Sequence, residues 1–302
     1  MNPSPEEPTR TSRLFGNRWL RRSLVCIGAL VALVAAFYAE EDWRSQRDWK
    51  QYRKATEARG ESLDFRTYIP KPVPDDQNFC ATPVLKSSFQ TNYYRDDTIT
   101  NNLWFRAFLT IAENMGSKDR SHRHFTDLAA WQLAFAALQN GPVKSGHYFE
   151  TTNTSLAARA AAAPAVLEGL KPDAAVFAEL RAASTRPYAQ CPVAYDVENP
   201  GPILFNNSAQ LKYLCQRLVL KACAELAAGQ TDEALADVKL ALALDDSFKA
   251  QPFLLSYLVR VACFQISTQP VWEGLAEHRW TDAQLQELQA RFLASEHRRC
   301  GA

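Results

Sequence analysis

Sixteen consecutive positions, LVCIGALVALVAAFYA from Leu24 to Ala39, carry no charge. Arg13, Arg18, Arg21 and Arg22 precede this run, and Glu40, Glu41 and Asp42 follow it at once. As a helix it covers about 24 Å, against about 30 Å for a hydrocarbon core. Snorkelling by Arg21 and Arg22 and local thinning make up the difference. The charge asymmetry predicts a positive flank in the cytoplasm and an exported remainder. An uncleaved signal anchor is expected. The rival is a cleaved signal peptide with its site at Val34-Ala35-Ala36, and it exports the chain equally.

Beyond the apolar run the pattern changes several times. EEDWRSQRDWKQYRKATEA, from Glu40 to Ala58, mixes both charge signs with Trp43, Trp49 and Tyr52, and Gly60 is placed to end a helix. Pro70, Pro72 and Pro74 then alternate with other residues, which favours an extended, polyproline-like course. Phe79 and Val84 are its candidate docking points. The expected organisation is a cytoplasmic tail over 1–22, a transmembrane signal anchor over 23–39, a charged helical stalk over 40–60, an extended Pro-rich strap over 61–100 and an all-helical exported domain over 101–302.

Within the last segment apolar residues recur at helical spacing. Helices are expected over 102–114, over 126–138 with Thr126 as cap, and as two or three short pieces between Ser155 and Ser184, where Pro164 and Pro172 fit first-turn positions. Further helices are expected over 208–228, 232–245, 252–266, 270–277 and 282–294, with Pro252 and Pro270 opening theirs. Thr281 and Gln284 fit a capping box, and Trp280 with Leu285 a hydrophobic staple. The fold class is therefore mostly α: a transmembrane helix plus an irregular multi-helix domain entered through the strap.

Composition agrees. Apolar residues make up 47% and charged residues 22%, the balance of a folded protein. A net charge of +1, with no basic cluster beyond the N-terminal twenty-two residues, argues against a nucleic-acid partner. Of seven cysteines, none forms a C-x-x-C pair, which excludes zinc-ribbon and thioredoxin-type spacing. Cys215 and Cys223 lie eight apart on one predicted helix, about 12 Å, too far to join. Most cysteines read as small buried hydrophobes. If the domain is exported, Cys80 with Cys191 is the best disulfide pair, because both sit in non-helical, Pro-flanked segments.

The stretch LAAGQTDEALADVKLALALDD, from Leu226 to Asp246, joins two helices through Gly229, with Thr231 as cap and Asp232 and Glu233 in the first turn. Ala234, Val238, Ala241 and Leu242 form its inward stripe, and Ala222, Ala224 and Ala234 allow close approach. These residues resemble a tetratricopeptide repeat over about 215–248. Lys221, Glu225 and Asp246 depart from that pattern, and no second unit follows at the same period. The resemblance thus implies a helical hairpin rather than a peptide-binding array. The layout as a whole is similar to bacterial membrane-anchored proteins that join a signal anchor to a helical envelope domain, which implies no activity.

No hydrolase elbow, metalloprotease, P-loop or dinucleotide motif occurs. His122 and His124 in SHRHF, beside Asp127, are the one local cluster with metal-ligand chemistry, yet Lys118, Asp119, Arg120 and Arg123 mark a polar loop. No catalytic, cofactor-binding or metal residue is assigned, and no cofactor is expected. The expected partners are the membrane, through one N-terminal helix, and a protein held against a helical face. The expected role is protein interaction or envelope scaffolding at the inner membrane, with the C-terminal domain extracytoplasmic. The alternative is an exported hydrolase using carboxylates or the His122/His124 loop.

Overall fold

A computed structural model describes residues 18–90, 124–140, 154–193, 195, 198 and 206–297. The chain divides into two compact units, one ending at Thr67 and the other beginning at Tyr68. Among the described residues there are helices and 3₁₀ turns but no strand.

The first unit is built on helix α1, Arg18–Ala58. It is the one described helix long and apolar enough to cross a membrane. Anchor and stalk are thus a single helix of about 60 Å at 1.5 Å per residue. Leu24, Val25, Ile27, Leu30, Val31 and Leu33 are all exposed among the described residues. Trp49 and Tyr52 stack on each other on the helix surface, with ring centroids 5.9 Å apart. Gly60, at φ 83°, takes the left-handed conformation that ends the helix.

In the second unit the strap is less extended than its prolines suggest. It carries 3₁₀ turns at Asp75–Gln77 and Phe79–Ala81 and a helix α2, Pro83–Gln90, whose first residue is one of the prolines. Proline suits the first turn, where its missing amide has no helical partner anyway. Phe79 docks as expected and is 2% exposed. The Val84 amide donates to Glu179 Oε1 at 2.9 Å.

The remaining helices are α3 (Leu128–Gln139), α4 (Leu156–Gly169), α5 (Ala174–Ala183), α6 (Asn206–Ala227), α7 (Thr231–Asp246), α8 (Leu254–Ala276) and α9 (Asp282–His297). The helix expected over 102–114, and most of the connection over 194–205, lie outside the described residues.

Helix α6 is central, because three of its faces enter three apolar clusters. Leu211, Cys215 and Leu218 pack with Phe79, Leu85, Phe177, Leu180, Leu240 and Leu244. Leu220, Ala224 and Ala227 meet Leu128, Trp131, Phe135, Ala163 and Val166 of α3 and α4. Ala222 and Leu226 meet Ala234, Val238 and Leu242 of α7, with Trp280 and Leu288. The α6–α7 hairpin is therefore packed through small and apolar side chains along this face, as the alanine stripe requires, and Gly229 turns at φ 81°.

Several local expectations change. Thr231 is the first residue of α7 rather than its cap; its hydroxyl accepts from Gln284 Nε2. Asp127, not Thr126, caps α3, accepting from the Ala130 amide at 2.9 Å. Pro164 lies inside α4, on its exposed side. There water can satisfy the carbonyl that loses its helical partner. Pro270 likewise lies inside α8, so 252–266 and 270–277 are one helix. At α9 the capping box forms as expected: the Thr281 amide donates to Gln284 Oε1 at 3.0 Å, and the Gln284 amide to Thr281 Oγ1 at 3.3 Å.

Candidate functional site

Most ionisable side chains buried in the second unit belong to ion-pair networks. Arg159, 1% exposed on α4, bridges Glu273 of α8 and Glu277, the residue that caps its C-terminus, and its guanidinium lies 4.8 Å from the Phe125 ring centroid. The Thr126 amide and hydroxyl both donate to Glu273 Oε1 at 2.7 Å. This explains why Thr126 does not cap α3: its hydroxyl is spent on α8. Cys223 is beside this cluster, but burial, followed by the Glu273 charge, pushes its thiol pKa well up. A thiol held protonated is a poor nucleophile, so the cluster reads as a clamp between helices.

The second network occupies the positions where the α6–α7 hairpin leaves the repeat pattern. Asp237, fully buried on α7, accepts from Lys221 Nζ at 2.7 Å and pairs with Arg181 of α5. Lys221 also pairs with Glu225, one turn along α6. Burial, reinforced by the Asp237 charge, raises the Glu225 carboxyl to about 8. Burial works against the Lys221 charge, yet the hydrogen bonds to Asp237 and Glu225 outweigh it and raise the ammonium. Burial also raises Asp245 to about 6, although Arg260 opposes it.

Next to this network lies a groove of about 780 Å³. Its walls are the strap from Pro70 to Phe79, the segment 184–190, and the α7 face that carries Ala236, Lys239, Leu240 and Ala243. Lys71, Arg181, Arg186, Lys239, Lys249 and Arg291 line it, against one carboxylate, Asp246. Asp246 is shared, since Arg291 donates to it at 2.7 Å and Lys249 pairs with it. Burial disfavours its charge, but these two cations outweigh the effect and lower its pKa. Arg186 donates to the carbonyls of Asn78 at 2.9 Å and Asp75 at 3.3 Å, fixing the strap wall. Arg181 and Lys239 pair with Asp237 and Glu287, neither of which lines the groove. The lining is therefore cationic. The apolar residues Phe79, Leu240, Ala236 and Ala243 also line the groove, the first two almost fully buried and the alanines half-exposed.

No carboxylate of raised pKa enters the lining: Glu225 and Asp245 lie outside it. His122 lies outside the described residues. His124 lies in the coil before α3, where its carbonyl accepts from Gln269 Nε2 at 2.7 Å. Among the described residues no His, Cys, Asp and Glu grouping could hold a metal. The groove itself was not foreseen, because its cations come from four stretches far apart in sequence. The one local hint was Asp246, which departs from the repeat pattern and lines the groove. Comparison of the chain with protein-family models, curated proteins and solved structures finds no match.

Proposed function

We propose that the protein is a membrane-tethered interaction module whose second unit receives an acidic, extended segment of a partner protein in the groove between the strap and α7. The observation that carries this reading is the groove's make-up, a lining that combines half-exposed alanines of α7 with cations from the strap, α5, α7 and α9. An extended peptide with Asp or Glu at alternate positions would bury its apolar side chains against Ala236 and Ala243 and direct its carboxylates to the cations. Rim charges of this kind set on-rate and specificity more than affinity, while a few apolar anchors hold the segment. The tether is α1, oriented by its arginine flank with the second unit on the outer side of the inner membrane.

The test is fluorescence anisotropy on the full chain in detergent, with labelled acidic, basic and Gly/Ser peptides of equal length. The acidic peptide should bind best, and its affinity should fall steeply with salt. Lys71→Glu combined with Lys239→Glu should weaken it about tenfold, since each rim charge is worth up to about 1 kcal/mol. Equal binding of the Gly/Ser peptide, or an unaltered affinity in the double variant, would overturn the reading.

A further inference from the structure

We propose that Cys80 and Cys191 are joined by a disulfide in the native protein, closing the strap onto the helical unit. The inference rests on the extracytoplasmic placement proposed above and is independent of what fills the groove. The two Sγ atoms lie 2.7 Å apart although the residues are 111 positions apart in the chain. Both side chains are buried, 1% and 3% exposed. Closing to a bonded sulfur–sulfur distance of about 2.05 Å needs only a sub-ångström adjustment.

The backbone on each side already holds them there. Asn78 and Tyr188 form an isolated parallel bridge, in which the Phe79 amide donates to the Tyr188 carbonyl at 2.7 Å and the Tyr188 amide to the Gln77 carbonyl at 3.1 Å. The Asn78 side chain doubles the link, donating to the Gln190 carbonyl and accepting from the Gln190 amide, each at 2.8 Å. Its Oδ1 also accepts from the Cys80 amide at 3.1 Å. Four hydrogen bonds therefore fix the register of two segments, one made of short 3₁₀ turns and the other irregular. The thiols meet because of that register.

The chemistry balances with a disulfide-bearing oxidant, such as an envelope dithiol oxidoreductase or oxidised glutathione. One thiolate of the pair attacks the donor disulfide and releases a donor thiol. The second then displaces the other donor thiol from the mixed disulfide. Two electrons and two protons pass from the cysteines to the donor. Burial, and the neighbouring Cys80, push the Cys191 thiol well up in the folded protein. The exchange therefore belongs to folding, before the strap is seated. Afterwards the same burial shields the bond from reductants. Cys215 faces a different neighbourhood, the Ser267 hydroxyl at 3.2 Å.

The test uses the full chain purified from membranes without reductant, denatured in excess alkylating agent and mapped by mass spectrometry. The expected result is a linked Cys80–Cys191 peptide that disappears on prior reduction, and exposure of Cys191 to alkylation in Cys80→Ser. Removing the cross-link from a loop this long should lower Tm by about 10 °C, and Cys80→Ser/Cys191→Ser should melt with either single variant. Alkylation of both cysteines in the unreduced native sample would overturn the proposal. Refolding with oxidised glutathione tests the pairing apart from the compartment. A linked Cys80–Cys191 peptide there supports the geometry, and linkage of either residue to another cysteine overturns it.

Discussion

Glu225 shows how a residue out of pattern is explained by its neighbours. A repeat of the kind the hairpin resembles places an apolar group there. Instead Glu225 and Lys221 on α6 face Asp237 on α7, and the three share one buried ionic arrangement. Two carboxylates around one ammonium cannot both ionise cheaply in a buried site. Asp237 is paired with Arg181 as well as Lys221, and Glu225 keeps its proton up to about pH 8. An unfolded chain releases that proton near the ordinary value of 4.5. Between those values the folded state binds more protons, so stability from this group is complete below about 4.5 and declines as pH rises towards 8. The slope is at most about 1.4 kcal/mol per pH unit. Glu225→Gln mimics the protonated carboxyl and should flatten that decline. In urea titrations at pH 5, 6, 7 and 8 the variant should match the parent at the acidic end and exceed it at the basic end. Parallel curves would refute the buried-acid assignment.

At the scale of elements, the hairpin and α9 were legible because local signals agreed with packing: a turn glycine, a stripe of alanines, a complete capping box. Ala234 is fully buried against α6. Ala234→Trp should therefore overpack the interface and cost about 1–3 kcal/mol, whereas the same change at exposed Glu233 should stay within about 0.5 kcal/mol. Equal melting temperatures for the two variants would contradict the close helix contact. Helix α8 was misread for an equally physical reason. Among its buried positions, Ser256, Arg260, Cys263, Ser267, Pro270 and Gly274 follow alternating steps of four and three, with Glu273 buried beside Gly274. That is a regular inward face made of polar and small residues, so apolar periodicity does not register it. Pro270 then looks like a break, yet it sits on the buried side where tertiary packing sustains the helix. Gly274 belongs to the same face. A Cβ there would come within 2.1 Å of Trp280 Nε1, and that indole donates to the Val271 carbonyl at 3.2 Å. The caps at Thr126 and Thr231 were misplaced for a related reason: each hydroxyl has a tertiary partner, Glu273 or Gln284, that no local window contains.

For the molecule as a whole, fold class and an N-terminal helix long and apolar enough to cross a membrane were written in composition and charge, and the Cys80–Cys191 pair was named from its Pro-flanked segments, while the groove depends on contacts across more than a hundred residues. The strap shows the difference well. Its prolines announced a departure from regular structure, but only the Asn78–Gln190 and Arg186–Asn78 hydrogen bonds say where it lies. The anchor's orientation links the two proposals, because a disulfide and an envelope partner both require the second unit outside the cytoplasm. Arg18, Arg21 and Arg22 precede the apolar run, and Glu40, Glu41 and Asp42 follow it. By the bias of positive residues towards the cytoplasm, a reporter that is active only when exported should be active after Ala302. One that is active only in the cytoplasm should be silent at the same junction. Replacing the three arginines with glutamate removes the retained charge and should reduce or reverse that ratio. A cytoplasmic signal from the parent fusion would sink the orientation and, with it, the compartment in which Cys80 and Cys191 are oxidised. Refolding with oxidised glutathione would still report on whether the strap brings the two sulfurs together.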